Sequence, residues 1–251
     1  MKRLLIAIPL MIFSPMLRAE DFPATLQWSQ RVELSTPVSG VVKTVDVEAG
    51  DLVRKGQVLL SLDDTVFKAR VAETRAEITR LEAEVDLDQH DLDRVQGLYE
   101  RTVVSTTDLE QAKLKLTTSR STLDEARARL QESRKMLEDS SLRAPFDAVV
   151  ILRQAQPGLS VAAGLQPQVL LTVARSGQMV ARMNLPSSKL EKLKIGQPVS
   201  VNTGSVNYSG KVKTMALEPV MLNNDWYYPV DVVFSVKEIL RSGTPAKVII
   251  P

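Results

Sequence analysis

The sequence predicts an elongated α+β protein with three parts: a small antiparallel β-barrel, a β-sandwich made of two separated halves, and a coiled-coil α-hairpin inserted between those halves. Three observations predict this organisation. A strict heptad pattern runs through residues 64–140, and two similar β-rich stretches flank it at an offset of 108 residues. Closely spaced short strands then follow residue 175.

The heptad stretch, residues 64–140, places its seam residues at alternating steps of three and four. The seam positions are Phe67, Val71, Thr74, Ile78, Leu81, Val85, Asp88, Leu92, Val95 and Tyr99, followed by Leu109, Ala112, Leu116, Ser119, Leu123, Ala126, Leu130, Ser133 and Leu137. Charged residues fill most of the flanking positions, which is typical of a solvated outer surface. The pattern favours a coiled-coil hairpin, because a helix inside a larger bundle needs a wider apolar face.

The two seams also agree on a register. If the chain reverses near residues 102–104, the polar exceptions fall opposite each other, Asp88 with Ser119 and Thr74 with Ser133. The apolar pairs are then Tyr99 with Leu109, Val95 with Ala112, Leu92 with Leu116, Val85 with Leu123 and Ile78 with Leu130. A buried polar group costs little only when it has a partner, and a polar seam layer fixes register. We therefore predict an antiparallel hairpin with arms roughly 50 Å long.

Two β-rich halves flank the hairpin, at residues 35–63 and 141–174. The segment from Ala49 to Gly56 recurs as the segment from Pro157 to Gly164, with glycines at matched places. This internal repeat predicts that the two halves pack against each other as one sandwich. The matched glycines are expected to supply tight turns with positive φ.

Residues 20–34 and 175–251 are predicted to form the barrel. Short alternating strands punctuated by glycine follow residue 175, and one or two helical turns fit at residues 187–194. A strand near residues 24–33 is expected to close the barrel.

The N-terminal segment, residues 1–19, has the three parts of a secretory signal peptide. Lys2 and Arg3 precede an apolar run over residues 4–13, and an acceptable cleavage site ends at Ala19. An uncleaved anchor is the alternative, but this run is too short to span a bilayer comfortably. With no cysteine to carry a lipid, we expect an exported protein without a lipid anchor.

Composition excludes several classes of function. The chain has no cysteine, so it contains no disulfide framework and no thiolate chemistry. Without the three basic residues of the signal segment, 29 basic residues face 30 acidic ones, which does not indicate nucleic-acid binding. The single histidine, His90, lies among charged helix residues and is interpreted as a surface residue. We expect no catalysis, no cofactor and no metal site.

Four motifs in order carry a resemblance to a known family. They are Val38-Ser39-Gly40-Val41-Val42, Glu48-Ala49-Gly50-Asp51, Lys55-Gly56-Gln57-Val58-Leu59 and, after the coiled coil, Leu142-Arg143-Ala144-Pro145-Phe146-Asp147. From about residue 30 onward the chain resembles the periplasmic adaptor proteins, or membrane fusion proteins, of the HlyD-like class, and within them the adaptors of RND-type efflux pumps. The resemblance implies a lipoyl-like sandwich. It also implies a periplasmic bridge between an inner-membrane pump and a TolC-like outer-membrane channel, which exports drugs or other toxic small molecules.

The resemblance also implies a docking site at the tip of the hairpin. The family's tip motif matches Arg94, Leu98, Ser105 and Asp108 at the family's spacing. The alternative is structural: Ser105 and Asp108 form an S-x-x-D pattern that caps a helix, Leu98 fills space, and Arg94 is a solvated flank. The two roles can coexist.

Other implications concern partners. Many family members have a further membrane-proximal domain after the barrel, whereas this sequence stops at Pro251, so we expect the barrel to contact the pump. An RND-type pump is favoured over an ABC-type or major-facilitator exporter, and the assembled adaptor is expected to be a hexamer. A rival hypothesis is a lipoyl or biotinyl carrier, which needs a lysine at the turn between the halves. The nearest candidate, Lys68, lies inside the first helix.

Overall fold

The computed structural model describes residues 20–164, 166–191 and 193–250, and the predicted signal peptide lies outside them. The chain divides into two compact units: a barrel unit that includes residues 20–30 and 175–250, and a hairpin unit of residues 31–174. In chain order the elements are β1 (Glu20–Trp28), β2 (Arg31–Leu34), β3 (Gly40–Val45), β4 (Leu52–Val53), β5 (Val58–Leu62), α1 (Thr65–Glu100), α2 (Thr106–Asp139), β6 (Ser141–Arg143), β7 (Ala148–Arg153), β8 (Ser160–Val161), β9 (Leu171–Arg175), β10 (Gln178–Leu185), α3 (Ser187–Leu190), β11 (Pro198–Asn202), β12 (Asn207–Met215), β13 (Val220–Leu222), β14 (Asp225–Ser235) and β15 (Pro245–Ile250).

The barrel unit closes on itself through six antiparallel strands. Their order is β10, β1, β15, β11, β12 and β14, and β14 pairs again with β10. Alternate residues of these strands point inward, as the period of a half-buried strand requires. The most deeply buried side chains are those of Leu26, Met183, Leu185, Val201, Val230, Val232 and Val248. The small barrel predicted from the short, glycine-punctuated strands is thus confirmed.

One predicted boundary is wrong. Residues 31–34 were assigned to the barrel, but β2 pairs with β9 in the sandwich, with Val32 opposite Val173. Leu34 is buried in the sandwich core, and Val32 packs against it. The predicted single strand over residues 24–33 is therefore two strands, of which β1 belongs to the barrel and β2 to the sandwich.

The sandwich consists of two four-stranded sheets, β2-β9-β7-β4 and β6-β5-β3-β8. The two repeats exchange their short strands, because β4 of the first half pairs with β7 and β8 of the second half pairs with β3. The hydrogen bonds repeat with the sequence: Gly50 N–H donates to Val150 O, and Gly158 N–H donates to Val42 O, both at 2.8 Å.

The matched glycines satisfy the prediction only in part. Gly50 and Gly158 have φ of 103° and 88°, a left-handed conformation that favours glycine. Gly56 has φ of 81°, but its repeat partner Gly164 has no positive φ. The second turn of the repeat therefore follows a different backbone path in each half.

The helical hairpin has the predicted register. The Ser119 hydroxyl donates to Asp88 Oδ2 at 2.6 Å, and both residues are buried. Lys115 Nζ lies 2.8 Å from the other carboxylate oxygen of Asp88, so the buried charge has a partner on the facing helix. Thr74 and Ser133 differ from the expectation, since each hydroxyl donates to a carbonyl of its own helix. Apolar seam residues pack above and below Asp88, among them Ile78, Leu81, Leu123, Ala126 and Leu130 on one side and Val95, Leu109 and Ala112 on the other.

Replacing Gly210 by alanine is expected to destabilise the barrel by about 1–3 kcal/mol, the usual cost of overpacking. A Cβ at this position on β12 would lie 2.8 Å from Val232 Cγ1 and 3.1 Å from Val233 O. Thermal unfolding measures the loss. Gly97→Ala on α1 is the matched control, because nothing lies within 4 Å of its added Cβ. An equal response of the two variants would contradict the close packing at Gly210.

Candidate docking site at the hairpin tip

The tip of the hairpin is a short, internally bonded turn. The carbonyl of Leu98 accepts hydrogen bonds from Arg101 N–H at 3.2 Å and Val103 N–H at 3.0 Å, which ends α1. Thr102 has φ of 63°, and this left-handed residue reverses the chain direction. The turn therefore has a defined conformation, in which the side chain of Val103 is exposed and that of Val104 packs against the seam.

A capping box begins α2. Ser105 Oγ accepts a hydrogen bond from Asp108 N–H at 3.2 Å, and Asp108 Oδ2 accepts one from Ser105 N–H at 2.9 Å. These reciprocal bonds satisfy backbone N–H groups that a helix start otherwise leaves without partners. The capping role expected from the S-x-x-D pattern is therefore present.

The same contacts set the charge of the tip. Hydrogen bonds from the Ser105 hydroxyl, and then from its backbone N–H, hold the pKa of Asp108 below its ordinary value. Asp108 is exposed and therefore carries a full negative charge at neutral pH. A carboxylate in the first turn of a helix also interacts favourably with the helix dipole.

The other two predicted residues lie further back on α1. Arg94 and Leu98 are four residues apart, so they share one face of the helix. Arg94 is exposed and forms an ion pair with Asp91, one turn away. Leu98 is half-buried. The structure thus joins Ser105 to Asp108 directly, and places Arg94 and Leu98 along one helix face that leads to the tip.

An exposed ion pair such as the one between Arg94 and Asp91 contributes at most about 1 kcal/mol. The guanidinium can therefore exchange its partner at little cost. Five N–H donors in a planar fork are suited to carbonyl or carboxylate groups of another protein.

Two apolar residues at the tip were not among the predicted site residues. Val103 is 66% exposed in the turn itself. Tyr99, which was predicted to face Leu109 in the seam, is 39% exposed, and Val104 packs against that part of the seam instead. The sequence offered one signal, since two consecutive valines are unusual in a solvated turn.

In the part of the chain that the structure describes, no three His, Cys, Asp or Glu side chains come close enough to hold a metal ion. His90 is exposed on α1, as a surface histidine would be. Among the helices of the described ranges, none combines the length and the apolar character needed to cross a bilayer.

The carrier hypothesis fails on geometry. A lipoyl or biotinyl carrier presents its lysine at a tight turn between the two half-sandwiches, but here β5 leads directly into a helix of 36 residues. Lys68 lies in the first turns of that helix and pairs with Asp64 at 2.7 Å. Lys68 therefore lies on the surface of a helix and not at the turn where a carrier lysine is attached to its cofactor.

A family model described as the CzcB-like barrel-sandwich hybrid domain matches residues 30–175, more than half of the chain. The chain belongs to this family.

Individual relatives agree with this. The macrolide export protein MacA of Yersinia pestis is 28% identical over 216 residues, which cover 79% of this chain and 58% of that protein. The pyoverdine export membrane fusion protein PvdR of Pseudomonas aeruginosa is 32% identical over 212 residues, which cover 78% of this chain and 54% of that protein. The chain therefore spans little more than half the length of these relatives.

Solved structures share the fold. The membrane fusion protein Spr0693 of Streptococcus pneumoniae superposes with a TM-score of 0.71 at 15% identity, over 91% of this chain and 97% of that one. A MacA-MexA chimera that contains the Pseudomonas aeruginosa MexA α-hairpin domain gives a TM-score of 0.65 at 19% identity, over 92% and 80%. The predicted combination of barrel, split sandwich and α-hairpin is thus confirmed.

Proposed function

We propose that the protein is the periplasmic adaptor subunit of a tripartite efflux pump. In this role it connects an inner-membrane transporter to a TolC-like outer-membrane channel, for export of drugs or other toxic small molecules. The observation that carries the proposal is the hairpin tip, where an internally bonded turn presents the exposed Val103 and the Asp108 carboxylate, and where the adjoining face of α1 carries Arg94 and Leu98.

The tip has the properties that docking between helix ends requires. Its backbone is held by the capping box and by the bonds to Leu98 O, so little conformational entropy is lost when a partner binds. Exposed Val103 and half-buried Leu98 offer apolar contact, and Arg94 offers a charged group that orients the partner.

The remaining partners follow from the same role. The barrel unit is the proposed contact with the inner-membrane transporter, and an RND-type transporter is favoured on the resemblance of the sequence. Six copies are proposed to form a ring around the export path.

A cysteine placed at the tip tests the proposal directly. The chain has no natural cysteine, so Val103→Cys introduces a single thiol at a 66% exposed position. In periplasm that contains a candidate outer-membrane channel, a thiol-reactive photo-cross-linker on this residue is expected to capture the channel.

Met136→Cys supplies the matched control, because Met136 is 40% exposed near the opposite end of the same hairpin. It is expected to capture no channel. Equal labelling from both positions, or none from Val103→Cys, would contradict docking through the tip.

A further inference from the structure

A β-ribbon stands apart from the barrel core. We call residues 220–227 the ribbon: β13 and the first part of β14, joined by a turn in which Asn223 and Asn224 have φ of 51° and 71°. β13 pairs only with β14, while the rest of β14 pairs with β10 and β12 in the barrel wall. The side chains of the ribbon contribute nothing to the buried barrel core.

The ribbon exposes large apolar groups on both of its faces. Paired residues share a face, and successive residues alternate between faces. Met221 and Trp226 therefore occupy one face, 56% and 58% exposed, and Val220 and Leu222 occupy the other, each 40% exposed. Neighbouring Leu217, which precedes the ribbon, is 96% exposed.

The charge pattern points away from an anionic partner. Between residues 219 and 229 the one charged residue is Asp225, and the stretch contains no lysine or arginine. The ribbon tip carries two neutral asparagines. Asp225 pairs with Leu222 and therefore shares the face of Val220 and Leu222, beside the turn. An environment that suits the ribbon receives its apolar side chains and also offers polar groups to the asparagines and this carboxylate.

A second copy of this chain does not fit the ribbon well. Stable interfaces use roughly 20 or more residues on each side. β13 offers an edge of three residues, and the exposed side chains are few.

We infer that the ribbon inserts into the interfacial region of a lipid bilayer. The interfacial region is roughly 5–10 Å deep and brings polar headgroup atoms and apolar acyl chains together, which suits both the apolar strands and the polar turn. Tryptophan and tyrosine are the residues that favour this region, and Trp226 and Tyr227 stand side by side at the start of β14. The barrel unit thereby contacts the membrane surface directly, independently of any docking by the hairpin tip.

Tryptophan fluorescence tests this inference on the full chain. The chain has two tryptophans, Trp28 and Trp226, so Trp28→Phe leaves Trp226 as the only emitter. Added vesicles of phosphatidylcholine and phosphatidylethanolamine are expected to shift its emission to shorter wavelength. Brominated lipid in the same vesicles is expected to quench it, and 30% phosphatidylglycerol is expected to change neither effect.

Two double variants distinguish vesicle binding by the ribbon from vesicle binding by other exposed apolar residues of the barrel unit. Met221→Ser with Leu222→Ser is expected to weaken vesicle binding about tenfold or more, since two apolar side chains no longer leave water. Val206→Ser with Ile239→Ser, at 46% and 50% exposed positions of the same unit, is the control and is expected to bind like the parent.

Several outcomes would overturn the inference. They are an unshifted Trp226 emission, binding only to vesicles that contain phosphatidylglycerol, and equal binding by the two double variants. The N-terminal residues 1–19 are the same in every variant and contain no tryptophan. If they caused the vesicle binding, the ribbon variant and the control variant would bind equally, and that result would contradict insertion of the ribbon. Near-native circular dichroism of each variant shows that the fold persists.

Discussion

Leu81→Asp is expected to unfold the helical hairpin. Leu81 is 2% exposed and packs in the seam with Leu123 and Ala126. Truncating a buried leucine costs about 2–5 kcal/mol, and a carboxylate without a partner in this layer adds a desolvation penalty. The helical signal in circular dichroism should be lost at a much lower temperature than in the parent protein.

Asp88→Leu is the matched control, because it makes the opposite change two turns along the same seam. Once the carboxylate is removed, the Ser119 hydroxyl can donate instead to the carbonyl of Lys115, which lies 2.8 Å from its oxygen. The Lys115 side chain is 60% exposed, so its ammonium group returns to water. Replacing a buried ion pair by a hydrophobic group is often neutral or stabilising. A loss of stability equal to that of Leu81→Asp would contradict this account of the seam.

Arg94→Asp is expected to abolish capture of the outer-membrane channel while the hairpin stays folded. The residue is exposed and lies off the seam, and its bond to Asp91 is an exposed pair that contributes little to stability. In an interface, an arginine held by carbonyl or carboxylate groups commonly contributes 2 kcal/mol or more, or about a thirtyfold change in affinity. The new carboxylate would also repel any acidic partner group.

The measurement combines the Val103→Cys cross-link with a melting curve. Arg75→Asp, far from the tip on the same helix, is the control and should cross-link like the parent. Arg80 is unsuitable as a control, because it forms ion pairs with both Glu77 and Glu84. An aspartate at this position would place three negative charges next to each other and destabilise the helix. Efficient cross-linking by the Arg94 variant would contradict a docking role for Arg94 and would leave helix capping as the function of the tip motif.

Periodic features of the sequence were predictable, and non-local pairings were not. The hairpin register followed from the heptads and from two facing polar pairs, of which Asp88 with Ser119 forms the expected bond and Thr74 with Ser133 does not. The boundary at residue 31 was missed because β2 gains its partner β9 from about 140 residues away. No local pattern in Arg31–Leu34 distinguishes a sandwich strand from a barrel strand.

The candidate site at the hairpin tip was likewise predictable in its local motif and not in its backbone path. The cap formed by Ser105 and Asp108 is a local motif, and its geometry is the one that the spacing predicts. The exposure of Val103 depends on the left-handed backbone at Thr102. Threonine rarely adopts this conformation, so the sequence did not predict it. The repeat likewise predicted two matching halves, but not that β4 and β8 would change sheets.

That exchange of strands constrains the order of folding. Neither half of the sandwich holds a complete sheet until the other half is present, because Gly50 binds Val150 and Gly158 binds Val42 across about 100 residues. The intervening helices can meet earlier, since contacts near their turn close short loops. The first half therefore cannot complete its sheets before residues near 160 are available, and a completed hairpin holds the ends of β5 and β6 side by side for that assembly.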